Sequence, residues 1–197
     1  MIDNKFIDAY SYTLLQTSSL EEAHWFAKHT LKNKLDSKYW LVEELTKLFI
    51  PKNVCILGSW YGTIIPYALN NDENTFTCVD IDPSIARLTD VFNNRIYKNN
   101  RVKAITADAR SFINATSESF DCVINTSCEH MQYDMKDMLW DTKPLYVLQS
   151  NNYNIPEHIN FKNSLEEFEK STGLSNILYS GSQRMSKYDR YMVIGKL

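Results

Sequence analysis

Apolar positions follow two different rhythms on either side of Pro51. Before it, Trp40, Leu41, Leu45, Leu48 and Phe49 in "DSKYWLVEELTKLF" recur at helical spacing. The preceding "SSLEEAHWFAKHTLKNKL" opens with Ser19 and Glu22 three residues apart, the signature of a capping box. The N-terminal third therefore reads as helix, and Pro51 ends it because proline disfavours helical geometry in the residue before it. After Pro51, short apolar runs alternate with helical stretches. "NVCILG", "TFTCVDID", "RVKAITAD", "FDCVINTS" and "PLYVLQSN" read as strands. "YGTIIPYALNN", "PSIARLTDVFNNRI" and "MQYDMKDMLW" read as helices, with Pro66 kinking or delaying the first and Pro83 opening the second. The tail breaks the alternation. "NSLEEFEKSTG" has Ser164 and Glu167 at capping-box spacing and Gly173 as its stop, and two strands follow, "SNILYSGSQ" and "YDRYMVIGKL", with no helix between them.

Strand–helix alternation predicts a parallel, doubly wound sheet, because parallel neighbours need a crossover that a helix supplies. The two final strands predict an antiparallel pair at one edge. No Gly/Ser-rich linker or repeat interrupts the 197 residues, which read as one domain: helices over 1–51 and an α/β core over 52–197. An apolar share of 44% and a charged share of 23% fit an ordinary globular chain. The net charge of −3, with scattered Lys and Arg, offers no broad field for a phosphate backbone. No run has the roughly 18–20 apolar residues of a bilayer span, and no secretory signal is visible, so a cytoplasmic protein without a membrane partner is expected. Cys55, Cys78 and Cys122 fall within predicted core strands, and with Cys128 they form no Cys-x-x-Cys pair. Reduced, mostly buried thiols and no structural zinc or other metal are the expectation.

Open parallel sheets bind ligands at the carboxyl ends of their strands. The first strand ends in Gly58-Ser59-Trp60-Tyr61-Gly62, where glycines let backbone approach a ligand closely. The second ends at Asp80, with Asp82 two residues on; either carboxylate is a candidate for ribose hydroxyls or for a helix N-cap. Asp108-Ala109 follow the third strand, placed to bond an exocyclic amine and a ring nitrogen. Asn125-Thr126-Ser127-Cys128-Glu129-His130 follow the fourth.

The order "VCILGSWYG … TCVDIDP … ITADAR … FDCVINTSCEHM" resembles the class I S-adenosylmethionine-dependent methyltransferases over roughly Val54 to Leu197. The resemblance implies a Rossmann-like three-layer α/β sandwich, which the helices of the N-terminal third would cap. Its seven-stranded, mostly parallel sheet would have the order 3-2-1-4-5-7-6 with the last strand antiparallel. It also implies S-adenosyl-L-methionine as cofactor. Gly58, Ser59, Trp60 and Gly62 would form its loop, Asp80 and Ile81 the ribose edge, Asp108 and Ala109 the adenine edge, and Asn125 and Thr126 the rim under the methionine part. Two residues depart from the family pattern: Ile56 stands where an acid is usual, and Trp60 where a glycine is usual.

On the acceptor side, "CEHM" resembles the Glu-His step of small-molecule members and makes His130 the candidate general base; its alternative is a purely structural hydrogen bond. "NTSC" lacks the Asn/Asp-Pro-Pro-aromatic box of base-modifying relatives, so a small molecule or a protein side chain is the expected acceptor rather than nucleic acid. Asn151, Asn152, Tyr153 and His158 are candidates for a substrate wall. Tyr10, Tyr12, His24, Trp25, Tyr39 and Trp40 belong either to a lid or to the core. Two competing functions share this fold: transfer of the cofactor's aminocarboxypropyl group, and a non-catalytic binding subunit.

Overall fold

The computed structural model describes residues 2–28, 30, 32–71, 73–98, 101–138 and 142–197, with residue 33 described by its backbone alone. Seven strands form one sheet in the order β3-β2-β1-β4-β5-β7-β6. They are β1 (Asn53–Leu57), β2 (Thr75–Asp80), β3 (Val102–Thr106), β4 (Cys122–Asn125), β5 (Leu145–Asn151), β6 (Asn176–Arg184) and β7 (Asp189–Lys196). Strands β1 to β5 pair in parallel, and β7 runs antiparallel to both β5 and β6. The expected sheet order, and the reversed final strand, are found.

The period-two rule explains the layers. Val54 and Ile56 point to one face, where they meet Phe26, Leu41, Leu45, Leu88 and Phe92. Cys55 and Leu57 point to the other, with Phe112, Phe168 and Tyr146. The first face carries α1 (Asn4–Leu15), α2 (Leu20–Lys28), α3 (Lys32–Leu48), α4 (Ile64–Ala68) and α5 (Pro83–Ile96); the second carries α6 (Ala109–Ala115) and α7 (Leu165–Thr172).

The caps follow local chemistry. The Ser19 hydroxyl accepts from the Glu22 amide at 3.0 Å, and the Glu22 carboxylate accepts in return from the Ser18 amide. Ser164 accepts from the Glu167 amide at 3.1 Å, and Gly173 closes α7 in the left-handed region at φ 73°. Asp82 caps α5 through the Ser84 amide at 2.9 Å, with Pro83 at the first helical position. All four cysteines are buried and free.

Three expectations need correction. The helix expected to begin at Ser19 stops at Lys28, and the next begins at Lys32; the Thr30 hydroxyl donates to the Ala27 carbonyl at 2.9 Å, a side-chain bond that competes with helix continuation (residues 29 and 31 lie outside the described set). The helix expected over "YGTIIPYALNN" is only the five-residue α4, with Pro66 as its third residue. The helix expected over "MQYDMKDMLW" is a 3-10 turn, Met135–Asp137, with residues 139 and 140 outside the described set. Asp134 is held at 2.8 Å by the Lys162 ammonium and at 3.1 Å by the Asn160 amide, which tie this segment to the loop after β5.

Candidate active site

The carboxyl ends of β1, β2 and β3 are laced together by backbone. The Ser59 amide donates to the Val79 carbonyl at 3.0 Å, and the Ala107 amide donates to the Asp80 carbonyl at 2.9 Å. The Gly58 turn, Asp80 and the segment leading to Asp108 therefore share one rim. The turn itself needs three positive φ angles, at Gly58 (56°), Trp60 (49°) and Gly62 (49°). Glycine adopts these without strain; Trp60 does not, and is held there by its amide, which donates to Asp80 Oδ2 at 2.8 Å. Gly62 is also required by space, since a Cβ there would lie 2.7 Å from Cys78 Sγ.

Asp80 is half-buried, and burial pushes its carboxyl above the ordinary range against the pull of the Asp82 and Trp60 amides. Each oxygen accepts one amide, Oδ1 from Asp82 at 3.2 Å and Oδ2 from Trp60. A carboxylate has about four lone-pair sites, so capacity for a further donor remains. Ile81 beside it is 70% exposed, an apolar face without cover. Asp108 caps α6, its Oδ1 accepting from the Ser111 amide at 2.9 Å, with Ala109 opening the helix. Asn125 is fully buried and committed inward: Oδ1 accepts from the Ser127 amide at 2.8 Å and the amide group meets Met135 Sδ at 3.4 Å.

Two lysines that the sequence did not single out face this loop from α3. Lys34 Nζ stands 3.4 Å from the centroid of the Trp60 ring, and Lys38 Nζ donates to Thr126 Oγ1 at 3.0 Å. Both are part-buried, and burial lowers both, Lys34 to about 8 and Lys38 to about 7. Arg190 adds to the lowering of both, with Glu129 opposing. The only hint in the sequence was their spacing, four residues apart on one helix face. Together with Ser59, Trp60 and Gly62 they line a cavity of ≈ 20 Å³. Sites for drug-sized ligands occupy about 300–1,000 Å³, far more than this cavity, and Asp80 and Asp108 do not line it. Trp60 thus walls this cavity while packing on the core. A larger depression of ≈ 440 Å³ lies against Tyr39, Tyr67 and Ile96, none of them among the strand-end residues.

Further along the rim, Glu129 and Arg190 form a buried ion pair at 2.5 Å. Glu129 Oε1 also accepts from the Asn151 amide at 2.6 Å, and Arg190 donates to the Thr126 carbonyl. His130 is exposed, and its Nδ1 lies 2.9 Å from the Glu157 carbonyl. His158 packs edge-on against it at 4.6 Å between centroids, and burial lowers the His158 imidazole. Of the other wall candidates, Asn152 donates to Asp189 at 3.1 Å and Tyr153 stacks on Tyr188. The N-terminal aromatics divide. Tyr10 and Trp40 pack on the core, Tyr39 is half-buried, and Tyr12, His24 and Trp25 are exposed.

No protein-family model and no curated protein sequence matches the chain. Solved structures do. The N-methyltransferase NodS from Bradyrhizobium japonicum WM9, in complex with S-adenosyl-L-homocysteine, aligns over 98% of this chain and 98% of its own, at TM-score 0.66 and 11% identity. Magnesium protoporphyrin IX methyltransferase (ChlM) from Synechocystis PCC 6803, with bound S-adenosylhomocysteine, aligns over 98% of this chain and 94% of its own, at TM-score 0.61 and 14% identity. With its sheet order and reversed final strand, the chain has the Rossmann-like fold of the class I methyltransferases.

Proposed function

We propose that the chain is an S-adenosylmethionine-dependent methyltransferase acting on a small molecule or a protein side chain. The observation that carries this reading is the Asp80–Trp60 contact, which joins the glycine turn of β1 to the acid ending β2 on a single rim. The donor set suits the cofactor. Asp80 accepts the ribose hydroxyls, Ile81 covers one face of the adenine, and Asp108 Oδ2 and the Ala109 amide meet its polar edge. Gly58, Ser59 and Gly62 bring backbone close to the chain of the amino acid, over Asn125 and Thr126. Lys34 and Lys38 take the methionine carboxylate.

The bound cofactor supplies an electrophilic methyl group on a sulfonium, and the protein's share is alignment and exclusion of water. Parting of Lys34 from Trp60 opens the cavity, and ion pairing of both lysines with the carboxylate fixes the cofactor once inside. His130 stands on the acceptor side. Its Nδ1 is held by the Glu157 carbonyl, so Nε2 is the nitrogen that can take a proton from a nitrogen or oxygen nucleophile.

Calorimetry with S-adenosylhomocysteine tests the reading. The parent protein binds, and Asp80→Ala weakens binding at least tenfold, about 1.4 kcal/mol. A parent that binds neither S-adenosylhomocysteine nor S-adenosylmethionine refutes it. The by-product separates the two group transfers, since methyl transfer releases S-adenosylhomocysteine and aminocarboxypropyl transfer releases methylthioadenosine.

A further inference from the structure

The turn after β4 and the loop after β5 bring Glu129, His130 and His158 together, with one ligand-capable atom from each within 4.8 Å of the others. Their hydrogen bonds decide which atoms are free. His130 Nδ1 meets the Glu157 carbonyl at 2.9 Å and His158 Nδ1 meets the Tyr153 carbonyl at 2.7 Å. A carbonyl only accepts, so both Nδ1 atoms carry the proton and both Nε2 atoms present a lone pair. Histidine ligands of metals are prepared in this way, with the second nitrogen donating to a carbonyl or carboxylate.

Glu129 supplies the third, independent indication. It is 4% exposed, and Oε1 serves both Asn151 and Arg190. Oε2 is buried with no hydrogen-bond partner among the described residues. A bare buried acceptor is destabilising, the more so when charged, and neither Asn151 nor Arg190 relieves it.

We propose that Glu129, His130 and His158 bind a divalent first-row transition-metal ion through the two Nε2 atoms and Oε2. Two imidazoles with one carboxylate suit zinc, cobalt, nickel, manganese or iron, whereas magnesium and calcium favour all-oxygen shells. Ligand atoms around a tetrahedral ion with 2.1 Å bonds are about 3.4 Å apart, so the three side chains draw together on binding. Three protein ligands leave a coordination position open, and exposed His130 marks the open side. Arg190 shares the carboxylate and tempers affinity, but its charge is already matched through Oε1. The cysteines gave no reason to expect this site because it uses no thiolate. In a methyltransferase, which here rests on the function proposed above, the open position would hold the acceptor's oxygen or nitrogen and lower its pKa. His130 would then be a ligand, and the metal would take over the task assigned to its free Nε2.

The experiment titrates chelator-stripped full-length protein with zinc against a chromophoric competitor, and with cobalt by visible absorption. One ion per chain is expected, with cobalt bands free of thiolate charge transfer. His158→Asn and His130→Asn each weaken binding at least tenfold, and His24→Asn leaves it unchanged. S-adenosylhomocysteine binding, measured on the same folded samples, stays within twofold in all three. Absence of stoichiometric binding by the parent, parent-like affinity in both His130 and His158 variants, or a thiolate band from Cys128 overturns the proposal. Metal binding without S-adenosylhomocysteine binding instead refutes the methyltransferase reading and leaves the metal site standing.

Discussion

Binding of S-adenosylhomocysteine should draw protons from solution, because the two lysines facing the glycine loop are poised to titrate. Lys38 lies at about 7 and Lys34 at about 8, both lowered first by burial. At pH 7.5 these values leave Lys38 about one-quarter and Lys34 about three-quarters protonated. A carboxylate inserted beside them favours the charged form of each, so the complex takes up about one proton in total. Calorimetry in phosphate, HEPES and Tris reads this directly as the slope of binding enthalpy against buffer ionisation enthalpy. Lys38→Met and Lys34→Met should each reduce the uptake, and removing the Lys34 charge should also raise Lys38, since that charge helps to lower it. Affinity should fall as pH rises from 6.5 to 9, since the free protein must then recover the protons before it can pair. The stability of the free protein moves the other way. Depressed lysines bind fewer protons folded than unfolded, so their penalty is full below the folded values of about 7 and 8 and relieved as pH rises toward 10.5. A slope of zero with tight binding would show that the cofactor's carboxylate is held elsewhere and would remove both lysines from the site.

Two further outcomes test the frame around the site. Gly62→Ala places a Cβ 2.7 Å from Cys78 Sγ and 3.1 Å from Thr89 Cγ2 at a φ of 49°, so urea unfolding should show a loss of about 1–3 kcal/mol; an unchanged midpoint would mean that the turn relaxes freely. Arg190→Ala strands the Glu129 charge in the interior and should cost about 3–5 kcal/mol, whereas replacing both partners by methionine should cost much less. Equal losses in the single and double variants would refute the argument from desolvation.

The fold was legible because its instructions are local. Alternating Val54, Cys55, Ile56 and Leu57 declares a strand buried on both faces, and Ser164, Glu167 and Gly173 declare the two ends of a helix. Failures came where distant contacts decide. The seven residues of α6 are too few to display a helical period, and Asp108, read as a ligand, is also the cap that starts them. "MQYDMKDMLW" has helical spacing, yet Asp134 is anchored by Lys162 and Asn160 from another part of the chain.

The site divides along the same line. The part proposed to hold adenosine consists of strand ends that meet along one rim, so Gly58, Asp80 and Asp108 could be aligned without a structure. The rest of the site is assembled from distant parts of the chain instead. Lys34 and Lys38 sit on an amphipathic helix, where lysines are ordinarily solvated, and only the packing of α3 over Trp60 turns them inward. His158 lies 28 residues after His130 and meets it because β4 and β5 are neighbours in the sheet. Pairing of β5 with β7 likewise brings Arg190 opposite Asn151, beside the carboxylate that both share. A charge needs a counter-charge at a few ångströms, and no linear spacing encodes one that arrives from another strand. On the proposed function, acceptor specificity lies in the loops after β4 and β5, which can change while the sheet and its strand ends stay intact.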